Sequence, residues 1–248
     1  MVNVRAAAAA TVKAVMAGMR AIKPGVSQRT VEANVSNACS NAGAHGVGFW
    51  PWVLTGPNAV YPRPYASLIR YDHLNAMMKS GELVHLDVGC ESDHYFSNLG
   101  RTVPVSGRYS AEQRETWNIF VAAYHAGVKT LREGVTVDQV FEAWSSELLR
   151  HRATAKSVLA RQAIDEWSSR DKVPYWVIHT MNLVLGDISG PLRAGTTIAF
   201  EPIAAAGGQE FYLEDMFVIT KNGAELLTPR VPYSAAEIEA AMRPNAKP

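Results

Sequence analysis

A chain of 248 residues, 48% of them hydrophobic, is long enough to bury a sizeable core as one large domain or as two fused halves. Lysine and arginine number 24 against 23 aspartate and glutamate, so no net field points to nucleic acid or an acidic membrane, and a small molecule is the expected partner. Cys39 and Cys90 form no CxxC and no Cys/His array, which speaks against a disulfide framework or a zinc ribbon and fits a reducing cytoplasm.

In chain order, residues from about Val4 to Ile22 combine helix formers with apolar spacing at Val12, Val15, Met16 and Met19, and Pro24-Gly25 ends them. Arg5, Lys13 and Arg20 make this stretch too polar for a spanning helix and a poor match to a signal peptide. A second helix is expected from Ser27 to Gly43. The aromatic stretch GVGFWPWVLTGPNAVYPRPYASLIRYDHLNAMMKSG follows, its prolines suited to loops and edge strands. Next comes clean alternation: Leu83, His85 and Asp87 on one face of a predicted strand, Val84, Leu86 and Val88 on the other. After Gly89 a second strand, His94 to Val105, carries Asn98 and Arg101. The capping box Ser110-Ala-Glu-Gln113 predicts a helix to Leu131, Thr136-Val-Asp-Gln139 another, and Ala155 to Trp167 reads as a third. Pro174 to Leu185 is β-rich, and strands are expected over Thr197 to Ala204 and Tyr212 to Thr220. Asn222-Gly223 then turns the chain into Ala224 to Thr228. Ser234-Ala-Ala-Glu237 caps a short last helix.

The run Lys23-Pro-Gly-Val-Ser27 is echoed by Arg132-Glu-Gly-Val-Thr136, each a basic residue, glycine, valine and a hydroxyl cap before an apolar helix. With helices followed by strands in both halves, the echo suggests two α+β units related by a pseudo-twofold axis. Asp87, Asn98, Glu201 and Glu214 fall inside predicted strands between apolar neighbours. One such residue is usually a bulge or an edge residue facing water; four together point to oxygen ligands for a metal or to acid/base groups.

These residues carry a resemblance. VHLDVGCESDHYFSNLGRTVPVSGRYSAEQRE resembles the aminopeptidase P segment that supplies the first two metal ligands. TTIAFEP and YLEDMFVIT resemble the strands of the fourth and fifth, and GPNAVYPR the loop with a catalytic histidine. The pattern is similar to the pita-bread fold of methionine aminopeptidase, aminopeptidase P, prolidase and creatinase, along essentially the whole chain. It implies an α+β fold with two pseudo-symmetric halves around a curved, mostly antiparallel sheet. Residues 1–248 are then one catalytic-type domain without the N-terminal accessory domain of many relatives, and a homodimer is the expected assembly.

The carry-over is partial. Asp87, Glu201 and Glu214 match family ligands, but the second aspartate, which normally bridges two metals, is Asn98 here. The ligand histidine aligns with Leu183 if the glycine three residues on is Gly186; His179 lies four residues earlier on the same strand face. A second histidine aligns with Gly190, the loop histidine with Arg63, and an arginine before the last glutamate with Tyr212. Asn offers one neutral carbonyl oxygen and Leu none, so a dinuclear site is not expected.

The resulting expectation is a metal-independent enzyme performing acid/base chemistry on a small, nitrogen-containing, amino-acid-derived substrate. Asp87, Glu201, Glu214 and His85 are the candidate catalytic groups, and Arg63, Asn98, Arg101, His179 and Tyr212 the candidate binding groups. Arg63 and Arg101 would offset the acids in place of a metal, and His85 would pair with Asp87 unless it is a satisfied core histidine. His94, His125 and His151 read as surface or helix residues. Two alternatives stay open. One is a mono-metal Xaa-Pro-type aminopeptidase or amidohydrolase, its single Mn, Mg or Zn held by Asp87, Glu201 and Glu214. The other is a non-catalytic peptide- or protein-binding relative.

Overall fold

Hydroxyl residues set the helix starts. The computed structural model describes residues 1–60, 75–173, 175–181, 186–188 and 190–243. Its helices are α1 (Val2–Ala21), α2 (Gln28–Asn41), α3 (Ala111–Val128), α4 (Val137–His151), α5 (Val158–Trp167) and α6 (Ala235–Ala241). Ser110, Thr136 and Ser234 close full capping boxes with Gln113, Gln139 and Glu237, as the sequence pattern predicts. The echoed caps behave alike: Ser27 accepts from the Thr30 N–H and Thr136 from the Gln139 N–H. No helix among the described residues is long and apolar enough to cross a membrane.

The strands are β1 (Gly46–Val47), β2 (Trp52–Thr55), β3 (Leu83–Val88), β4 (Cys90–Ser92), β5 (Tyr95–Phe96) and β6 (Leu99–Pro104), then β7 (Tyr175–Thr180), β8 (Gly186–Asp187), β9 (Thr197–Ala206), β10 (Gln209–Ile219) and β11 (Ala224–Leu226). The main sheet runs β2-β3-β6-β10-β9-β7-β8, with β11 paired to β10, and each pairing in it is antiparallel. Both halves of the chain thus contribute to one sheet that meets at the β6-β10 pair. The long β9-β10 hairpin turns at Gly207 and Gly208, whose φ of 56° and 73° suit a two-residue hairpin loop and are costly for residues with a Cβ.

The expected strand from His94 to Val105 is in fact two. Asp93 and His94 take positive φ in a tight turn, β4 and β5 join β1 in a small separate sheet, and β6 starts only at Leu99.

Period-two alternation gives the main sheet two faces. One packs on the helices: Phe200 of β9 stacks on Tyr124 of α3 at 4.8 Å, and Phe211 of β10 meets Trp167 of α5 at 5.2 Å. Trp117, Trp144 and Trp167 are fully buried in this layer, where each such side chain contributes about 1.5 to 3 kcal/mol or more. The opposite face carries the acids.

One expectation fails here. Cys39 of α2 and Cys90 of β4 are joined by a disulfide across a Cα–Cα distance of 5.5 Å. The packing of α2 against β1, β2 and β4 brings together two cysteines 51 residues apart, a proximity that their spacing does not announce.

Candidate active site

On the face away from the helices, register places the polar residues in a row across five strands. Asp87 of β3 lies opposite Gly100 of β6, and Gly100 opposite Glu214 of β10. The pairs Tyr212–Ile203 and Asp215–Phe200 put Glu214 and Glu201 on one face of the β10-β9 pair, and His179 of β7 completes the row. All four titratable members are buried. Burying three carboxylates is costly unless their charge is neutralised or coordinated.

His179 is oriented toward the acids. Its Nδ1 meets the Thr180 carbonyl at 3.2 Å, an arrangement that places a proton on Nδ1 and turns Nε2 toward the acids. Nε2 stands 3.1 Å from Glu201 Oε2 and 3.4 Å from Glu214 Oε1. Ligand atoms of His179, Glu201 and Glu214 all lie within 4.8 Å of one another. Burial opposes charge on the ring, but the hydrogen bonds to Glu201 and Glu214 overcome it and raise His179 to about 11. Burial and the Glu201 charge lift Glu214 to about 7, against the opposing pull of His179. Burial, then the charges of Glu214 and Glu201, push Asp87 well above the usual carboxylate range. Asp87 Oδ1 is buried without a hydrogen-bond partner among the described residues, and Glu214 Oε1 is met by His179 Nε2 alone, at 3.4 Å.

A second chain of contacts borders this row. Tyr212 donates to Glu214 Oε2 at 2.5 Å, and its ring stacks on His85 at 4.0 Å with an 8° interplanar angle. His85 Nδ1 in turn meets Glu210 Oε1 at 2.6 Å. Burial pulls the His85 pKa down, and the Glu210 hydrogen bond and charge reverse this and raise it.

Residues 2–221 match the model of metallopeptidase family M24. The chain belongs to that family. It is 28% identical over 222 residues to the mitochondrial intermediate cleaving peptidase 55 of Arabidopsis thaliana, covering 84% of this chain and 43% of the relative. To the Xaa-Pro aminopeptidase of Escherichia coli it is 25% identical over 247 residues, covering 90% and 54%. The chain therefore spans about half the length of these relatives. A solved histidine-to-alanine variant of Escherichia coli aminopeptidase P superposes with a TM-score of 0.77 at 25% identity, covering 97% of this chain and 57% of that one. The M24 relationship bears out the expected pita-bread, α+β fold.

A metallopeptidase family implies a metal, and the residues present fit one divalent cation. Three buried N and O donors converge, and a backbone carbonyl orients the histidine ring. Of the expected trio Asp87, Glu201 and Glu214, the two glutamates share this cluster with His179, and Asp87 lies next to it across Gly100. Among the described residues no second cluster of three such donors lies as close together. Asn98 Oδ1 already accepts the Leu99 N–H at 3.0 Å, and Leu183 lies outside the described residues.

Other M24 site expectations divide. His85 shares the face of Asp87, but its Nδ1 belongs to Glu210. Tyr212 is fully buried against Glu214 and does not lie open to a substrate. Arg101 is a correction: it points into the helix layer and pairs with Asp215 at 3.1 and 3.2 Å, so it does not offset the acid row. Arg63 lies outside the described residues. Sequence reasoning missed Glu210 and Asp215. Strand parity could have found both, since Glu210 is in phase with Tyr212 and Glu214, whereas Asp215 is in phase with the helix-facing Phe211 and Leu213.

Proposed function

We propose that this chain is an Xaa-Pro-type peptidase or a related amidohydrolase that works with one divalent cation held by His179, Glu201 and Glu214. The observation that carries the reading is the convergence of one imidazole nitrogen and two carboxylates within 4.8 Å on a buried sheet face. The names of its relatives support the substrate class, and the continuous sheet from β2 to β8 supports treating residues 1–248 as one catalytic-type unit. When bound, the cation supplies electrophilic stabilisation to the attacked carbonyl. Asp87, outside the cation's donor set, offers Oδ1 as a base or as an anchor for a substrate amine. The Cys39–Cys90 bridge is the feature that pulls against a cytoplasmic placement, because cytosolic thiols are kept reduced.

The test is elemental analysis of the purified chain together with hydrolysis of a short Xaa-Pro peptide, with and without chelator. Near-stoichiometric Mn, Zn, Co or Fe, and turnover abolished by chelation and restored by the ion, are expected. Turnover indifferent to chelation would overturn the proposal in favour of metal-independent acid/base catalysis. One observation favours that second reading: the His179 ring already touches both glutamates and, protonated, offsets their charge unaided.

A further inference from the structure

Gly100 sits between the two ends of the acid row, directly cross-strand from both Asp87 and Glu214. The space above it is filled by the Tyr212 ring: a Cβ on Gly100 would lie 1.9 Å from Tyr212 Cε1, 2.3 Å from Cζ and 2.4 Å from the hydroxyl oxygen. The absence of a side chain at Gly100 is therefore what admits the phenol. Its hydroxyl donates to Glu214 Oε2 at 2.5 Å and also lies against the Asp87 carboxylate, whose Oδ1 stays without a hydrogen-bond partner among the described residues.

The ring is held from several sides. Tyr212 N–H donates to Thr102 Oγ1 at 2.7 Å, which fixes the backbone beneath it. His85 lies flat against the ring at 4.0 Å and is itself clamped by Glu210 at 2.6 Å. A side chain stacked on one face and hydrogen-bonded at its tip has little freedom to withdraw.

We infer that Tyr212 is a plug that divides the acid row, confining the site to one cation at His179, Glu201 and Glu214 and keeping Asp87 from sharing an ion with Glu214. The geometry also explains an otherwise costly pairing. The Asp87 carboxylate and Oε2 of Glu214 are what a second cation would bridge, and a neutral phenol that contacts both occupies the ground between them. His85 and Glu210 act through the ring as positioning residues.

This inference rests on the one-cation proposal, and Mn²⁺ titration of the full chain separates the two. Calorimetry and manganese electron paramagnetic resonance, with elemental analysis after desalting, read the number of ions bound. Wild type and Tyr212→Phe, which keeps the ring, are expected to bind one. Tyr212→Ala is expected to bind two, and adding Asp87→Asn should return it to one. If Tyr212→Ala fails to fold, Tyr212→Val keeps a strand-forming residue and carries the same expectation. A folded Tyr212→Ala or Tyr212→Val that still binds one ion, or a wild type that binds two, overturns the plug. A wild type that binds none overturns the one-cation proposal and the plug with it.

Discussion

Nε2 of His179 stands 3.1 Å from Oε2 of Glu201 on the neighbouring strand, with Nδ1 anchored at the Thr180 carbonyl. Two consequences follow from this one contact. It turns a ring nitrogen toward a second carboxylate, Glu214, at 3.4 Å, and it keeps one nitrogen and two carboxylates within 4.8 Å of one another.

His179→Ala removes the only nitrogen from that donor set. Loss of even a hydrogen-bonded partner of a ligand costs about 10- to 100-fold in metal affinity, so loss of the ligand should cost at least about 100-fold. In wild type, Mn²⁺ at about 100 times its Kd should stabilise the fold by about 2.7 kcal/mol. Thermal unfolding with and without the ion checks both, and the stabilisation should vanish in His179→Ala at the same concentration.

Arg101→Met tests the placement of Arg101 in the helix layer. Arg101 and Asp215 are both wholly buried, and Asp215 also accepts from Thr228 at 2.9 Å and Tyr233 at 2.8 Å. Removing the guanidinium strands a buried charge, which costs about 3 to 5 kcal/mol. Urea unfolding should register that loss while the Mn²⁺ stoichiometry of the folded variant stays unchanged. A stoichiometry altered in step with stability would put Arg101 back among the groups that balance the acid row.

The Cys39–Cys90 bridge closes a loop across a sequence separation of 51. Chain-entropy reasoning assigns it about 4 kcal/mol through the unfolded state. Cys39→Ala/Cys90→Ala should lose most of that in chemical denaturation. Protein isolated without reductant should show no reactive thiol after unfolding; two thiols per chain would refute the bridge.

His125 supplies a pH dependence away from the acid row. Its ring packs on Tyr233 at 4.7 Å, and burial, followed by the charges of Asp215, Arg101, Lys129 and Glu237 in partial opposition, leaves its pKa below the ordinary 6.5. A depressed histidine favours the neutral ring in the folded state, so its contribution is complete above pH 6.5. That contribution is lost as pH falls from 6.5 through the folded pKa. The difference in unfolding free energy between wild type and His125→Gln should therefore shrink on acidification across that interval and be flat above it. A difference independent of pH would show that the packed ring does not resist protonation.

By itself the sequence determined the helices through local chemistry. Hydroxyl residues three positions ahead of Gln or Glu place Ser110, Thr136 and Ser234 as caps whatever the rest of the chain does. It also singled out the strand acids Asp87, Glu201 and Glu214, because they interrupt apolar runs and match a family pattern. Tertiary structure decided how those residues are used. Arg101 follows Gly100 on β6 and so takes the opposite face of the strand from the acid row, which sends it to Asp215 and the helix layer. Pairing of β10 with β6 set Tyr212 over Gly100, and pairing of β7 with β9 carried His179 to the two glutamates. The physical reason is range. Caps and alternation are written within a few residues, but a ligand set and a disulfide depend on which distant strands and helices come to lie side by side.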